Sequence, residues 1–179
     1  LDTLRAGQPD HPMRLLGPYL ELNRARGTND ANEGDLFFPN LGVQLPPLAA
    51  EAPLDDTVLA KALQLQRAQY QQGLLRMLKG ADQSESLRRM QAAVAAIESL
   101  QARSPSRAFW SAATGFFDAL VFGGLDVGPS SKPLFAKVDQ QIKQLIDGAG
   151  RVAERLFRDL LLSVARARAV TERVAMLKD

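Results

Sequence analysis

The chain has no cysteine and a single histidine, His11. The first absence excludes disulfides, Cys-ligated zinc, iron–sulfur clusters and thiol catalysis. One imidazole cannot build a histidine-rich metal site. Aromatic residues are scarce, at 6%, with one Trp and two Tyr. No apolar run approaches the ~18 residues that span a bilayer, and no signal-peptide pattern is present. Neither charge sign dominates. The 22 Lys and Arg face 20 Asp and Glu for a net charge of +2, which argues against nucleic acid as a partner. What is present is ordinary for one globular domain: 179 residues, 46% apolar and 23% charged. So little His and Cys leaves few groups for chemistry at neutral pH. Composition therefore favours an interaction or structural role over catalysis. A start at Leu1 rather than Met suggests a piece of a longer chain.

The patterning is helical nearly throughout. Leu1 to Ala6 reads as the end of an earlier element. Asp10 caps a helix with Pro12 in its first turn and Met13, Leu16 and Leu20 on one face. Gly17-Pro18 should kink that helix or delay its start, and Gly27 ends it. Residues 28–53 differ. They hold Leu36-Phe37-Phe38-Pro39, an alternation of Leu41, Val43 and Leu45, and Pro46-Pro47. A structureless connection of this length is uncommon inside a domain. An extended strap that packs its Phe and Leu side chains on helices is favoured over a disordered interdomain linker.

From Leu54 the helices are clearer. Asp55 or Asp56 caps the first, which carries Leu59, Leu63, Tyr70, Leu74 and Met77 on one face and ends at Gly80. Asp82 and Glu85 open the next in capping-box spacing, followed by Leu87, Met90, Val94 and Ile97. Ser104-Pro105 reads as a helix start. The helix to about Phe122 is apolar all round, with Phe109, Trp110, Phe116, Phe117 and Leu120, and should be the centre of a bundle. Ser130 or Ser131 caps a helix with Pro133 in its first turn, the stripe Leu134, Val138, Ile142 and Leu145, and a stop at Gly148. Val152, Leu156, Leu160 and Val164 repeat every four residues. Val170, Val174 and Leu177 form a last segment. The expected fold is all-α, a bundle of about six or seven helices with an extended N-terminal strap.

Candidate chemistry is thin. His11 lies between Asp10 and Pro12 at a helix entrance, with no second catalytic type nearby, and reads as a surface residue. Asp55-Asp56 fits capping better than a metal site. Asp30, Glu33 and Asp35 lack the terminal Glu of a calcium loop. Arg151, Arg155, Arg158, Arg166, Arg168 and Arg173, interleaved with Glu154, Asp159 and Glu172, suggest a solvated helix face with i, i+4 pairs. A docking surface for an acidic partner is the other reading. No catalytic, cofactor-binding or metal-binding residue is assigned, and no cofactor is expected.

Several stretches together resemble one family. They are LLGPYLELNRARG at 15–27, DLFFPNL at 35–41, Phe109-Trp110, Gly123-Gly124-Leu125, KVDQQIKQLI at 137–146 and FRDLLLSVAR at 157–166. In order and spacing they are similar to the N-terminal region of the CheA-like hybrid histidine kinases of type IV pilus systems, a region shared by the related FimL scaffolds. The resemblance implies that residues 1–9 are the tail of a preceding phosphotransfer-like helical domain, residues 10–53 a helix plus strap, and residues 54–179 the bundle core. It implies a non-catalytic, cytoplasmic scaffolding region of a chemosensory two-component system that controls type IV pili and twitching motility. Its partners would be response-regulator receivers or a polar scaffold, without nucleic acid or membrane insertion. The family's phosphotransfer motif, His-x-x-Lys-Gly within a helix, does not occur, and His11 followed by Pro12 does not fit it. An active phosphotransfer module and a ligand-binding sensory bundle are the alternatives. The parent chain is expected to be either the hybrid kinase or the FimL-like scaffold.

Overall fold

A computed structural model describes residues 16–27, 45 and 54–178. His11, the Asp10 cap, the strap residues Leu36, Phe37, Phe38, Leu41 and Val43, and the acidic trio Asp30, Glu33 and Asp35 lie outside the described residues. All regular structure among the described residues is helical, in seven helices. The chain is therefore all-α, as the 3.6-residue periodicity predicts.

The first unit, residues 1–39, is represented by α1, Leu16–Ala25. Pro18 falls in its first turn, where a missing amide costs nothing. The second unit, residues 40–179, holds the other six: α2 Asp56–Leu78, α3 Gln83–Leu100, α4 Arg107–Val121, α5 Lys132–Ile146, α6 Glu154–Arg166 and α7 Glu172–Met176. Asp55 caps α2 through Thr57 N at 3.3 Å, and Asp82 caps α3 through Glu85 N at 3.1 Å. The glycines expected to end helices, Gly27, Gly80 and Gly148, all have positive φ, as does Gly123 after α4.

Two helix starts differ from expectation. α4 begins at Arg107, two residues beyond Pro105. The Ser104 hydroxyl accepts from Ser106 N at 3.2 Å, and Ser106 Oγ bonds Gln101 Oε1 at 3.3 Å. These local bonds hold Ser104-Pro105 in a turn instead of a helix. Ser131 occupies the cap position of α5, but its Oγ accepts from the Gly128 amide at 2.8 Å and leaves the helix amides alone.

Helix α4 is central. It packs against α3, α6 and α7, while α2 packs on α3 and α5, and α5 on α6. Every residue from Phe109 to Leu120 is buried. The rings form two groups of contacts. Tyr70 meets Phe117 edge-on at 5.8 Å, Phe117 stacks on Phe135 at 5.6 Å, and Phe109 meets Trp110 at 4.9 Å and Phe157 at 5.8 Å. The expected seam of α3 is fully buried at Leu87, Met90, Val94 and Ile97. Tyr70 anchors α2 to α5 by donating its phenol to Phe135 O at 2.8 Å. Burial holds that phenol neutral, pushing its pKa well above the ordinary value, with the Asp139 charge adding to the shift. Gly73 lets α2 and α3 touch. A Cβ there would lie 2.9 Å from Ser86 O and 2.9 Å from Met90 Cγ.

Candidate functional site

The strongest concentration of ionisable groups among the described residues is inside the bundle. Glu98 on α3 and Asp118 on α4 are 3% and 7% exposed. Arg173 on α7 reaches between them. Its Nη1 donates to both Glu98 oxygens, at 2.7 and 2.6 Å, and lies 3.3 Å from Ser111 Oγ. Its Nε is 3.4 Å from Asp118 Oδ2. The other Asp118 oxygen accepts from Gln91 Nε2 at 2.9 Å. Burial pushes the Asp118 carboxyl above its ordinary range. The Gln91 hydrogen bond and Arg173 pull it back, and the Glu98 charge raises it.

The sequence places these groups together by three local features. Asp118 is the one acid on the apolar helix α4. Gly115 opens a notch on the same helix, where a Cβ would come within 2.5 Å of Leu177 Cδ1. Thr171 caps α7 through Val174 N at 3.2 Å and so starts the turn that carries Arg173 inward. The arrangement is a positioning clamp for α7. Its atoms satisfy one another, as buried charges must.

The six late arginines are not one face. Arg158 makes the expected i, i+4 pair with Glu154 at 3.5 Å. The backbone amide of Arg168 donates to Gly124 O at 2.9 Å, and Arg151 O accepts from Gln141. Arg173 points into the clamp. Periodicity missed this because an arginine's reach is decided by its neighbours in space. A second ionic tie joins α2 to α5: Arg67 Nε and Nη2 donate to the two Asp139 oxygens at 3.1 and 3.2 Å.

Grooves on the second unit are open to solvent. One of about 250 Å³ between α5 and α6 is lined by Lys137, Gln140, Gln144 and Arg155. Another of about 310 Å³ on α2 and α3 is lined by Gln66, Gln69, Arg88 and Arg89. Amide and charged side chains rim both, and Leu156 with Ala153 in the first and Ala92 with Ala93 in the second supply apolar surface. Among the described residues no three His, Asp or Glu side chains come together in a way that could hold a metal ion. No described helix is long and apolar enough to cross a membrane.

Residues 55–179 match the family model of the FimL scaffold protein second domain. The chain belongs to the FimL scaffold family. It is also 31% identical over 168 residues to the scaffold protein FimL of Pseudomonas aeruginosa, covering 92% of this chain. The chain spans 30% of that relative's length. No solved structure matches it. The matched region begins at the Asp55 cap and holds the Arg67–Asp139 tie, the Arg173 clamp and the aromatic core. The resemblance noted from residues 109–166 therefore falls on its FimL side.

Proposed function

We propose that this chain is a non-catalytic protein–protein interaction region of a scaffold in a chemosensory, two-component system controlling type IV pili and twitching motility. The observation that supports the reading most is the FimL second-domain match over residues 55–179. The physical character of the bundle agrees with it. Its buried carboxylates are engaged with Arg173 and Gln91, and its accessible grooves are open and rimmed by amide and charged side chains. Such a surface docks partners through complementary charge and amide contacts. The partners would be receiver domains of response regulators or a polar scaffold protein, met in the cytoplasm. The larger protein would align them, with residues 54–179 supplying the docking bundle.

The test has two arms. Calorimetry of the chain with receiver domains from the same system should give saturable binding. Incubation with the phosphorylated receiver, and with active kinase and ATP, should leave the chain free of acid-labile phosphate. Phosphoryl transfer is mostly positioning, and His11, followed by Pro12, lacks the Lys-Gly of the phosphotransfer motif. Phosphate on His11, lost in His11→Gln, would overturn the scaffold reading. In cells, deleting residues 55–179 from the full-length protein should abolish twitching without lowering its abundance.

A further inference from the structure

Helix α2 carries a second apolar stripe that its own bundle does not use. Its inner face buries Leu63, Tyr70 and Gly73. On the opposite side Val58, Leu65 and Leu75 are 50%, 58% and 52% exposed, Leu54 just before the helix is 44% exposed, and Ala68 is exposed too. The steps from 54 to 58, 65, 68 and 75 are 4, 7, 3 and 7. That is the spacing of a heptad seam along a helix about 34 Å long. Scattered exposed leucines need no explanation; apolar residues in heptad register along one face, interrupted by Lys61 and Gln72, do.

We propose that this seam is a self-association surface on which two copies of the chain pair through antiparallel α2 helices. The stripe is self-complementary about the point between Gln66 and Arg67. A two-fold axis there sets Val58 of one copy against Leu75 of the other. It also sets Leu65 against Ala68, a large knob facing a small hole, and Lys61 against Gln72. Residue i meets j and j meets i, as a two-fold interface demands. The charges choose the direction. Asp55 and Asp56 stand at the start of α2, and Arg76 and Lys79 at its end. Antiparallel pairing places Asp55 beside Arg76 of the other copy at both ends of the seam and opposes the two helix dipoles. Parallel pairing would set like charges together. Residues 28–53 are the competing occupant from the chain itself. They carry Asp30, Glu33, Asp35 and Glu51 and no Lys or Arg. They could answer the basic end of the seam but not the acidic one.

Sedimentation velocity of the whole chain over a wide concentration range tests this. A reversible monomer–dimer equilibrium is expected. Leu65→Glu should make the chain monomeric at every concentration while its helical circular dichroism and thermal midpoint stay unchanged. Arg76→Glu should raise the dimer dissociation constant at least tenfold. In an Asp55→Asn background, which keeps the cap, the same change should have a clearly smaller effect. A chain that stays monomeric at the highest concentration overturns the proposal. So does a dimer that survives Leu65→Glu, or an Arg76→Glu effect that is equal with and without the Asp55 charge.

Discussion

Removing Arg173 should expose what the buried clamp contributes. Arg173→Ala leaves Glu98 and Asp118 facing each other, 3% and 7% exposed, with no cation between them. Breaking a fully buried ion pair costs ~3–5 kcal/mol. The Arg173 side chain is 30% exposed, so water and ions reach the vacated space and screen part of the repulsion. The expected loss at pH 7 is about 2–3 kcal/mol. Its pH dependence carries the sharper test. The Asp118 pKa is already raised in the folded state, chiefly by burial. A carboxyl held that way contributes stability fully below its unfolded pKa and loses it as pH rises through the folded value. Arg173 opposes the shift, so its removal drives the Asp118 pKa higher. The penalty must then shrink as the pH falls from 7 and the proton neutralises the carboxylate. Urea unfolding of both proteins at pH 7 and pH 5 measures this. Hydrogen exchange at the amides of Val174 and Ala175 should quicken first, since a five-residue helix has almost no stability of its own. A loss under ~0.5 kcal/mol at pH 7, the size of an ordinary surface change, or an equal loss at both pH values, would refute the reasoning.

Five further substitutions probe the core. Trp110→Ala should cost about 3–5 kcal/mol, and the fluorescence of this single Trp, 1% exposed, should be blue-shifted in the native chain; emission typical of water would contradict it. Trp110→Phe should be far milder, because among the described residues the buried Nε1 has no hydrogen-bond partner and the change removes that unmatched donor. Tyr70→Phe should cost ~1 kcal/mol in denaturant melts, for the lost bond to Phe135 O. Gly73→Ala and Gly115→Ala should separate, although each gains up to ~1 kcal/mol of helix propensity. At position 73 the new methyl meets backbone oxygen Ser86 O and should be destabilising by about 1–3 kcal/mol. At position 115 it meets the movable end of Leu177 and should be nearly neutral in the same melts.

The helices of the bundle were legible because their information is local. The 3, 4, 3 spacing of Leu87, Met90, Val94 and Ile97 fixes one face whatever lies opposite, and all four are buried. Gly80 and Gly148 mark helix ends because positive φ is cheap only for glycine. The all-apolar run around Phe116 could go only to the centre. The misses share the opposite property. Ser104 and Ser131 look like caps, yet their hydroxyls find closer partners in their own turns. Arg173 looks like one of six solvated arginines, and only the meeting of α3, α4 and α7 turns it inward. Two signals for the clamp did exist: a lone acid on an otherwise apolar helix, and a glycine three residues before it. Both become informative once α4 is recognised as fully buried, because an acid there must find a cation.

The Arg67–Asp139 tie and the Arg173 clamp play different parts in holding the bundle. Arg67 and Asp139 are 26% and 20% exposed, so their bond is screened and adds modestly to the α2–α5 contact that Tyr70 already secures. The Arg173 clamp joins a helix that buries only Val174 to the two most deeply packed helices of the second unit. Apolar contact over one valine is non-directional and could not orient α7. A guanidinium held on two sides by carboxylates is directional and admits one placement. The Gly115 notch then seats Leu177 at that placement. Position in this part of the bundle is therefore set by charge geometry, and cohesion by the aromatic core. A substitution that swaps the clamp for apolar groups of similar volume could keep the bundle stable while letting α7 slide. Function that depends on the surface around α7 would then fail without any loss of stability.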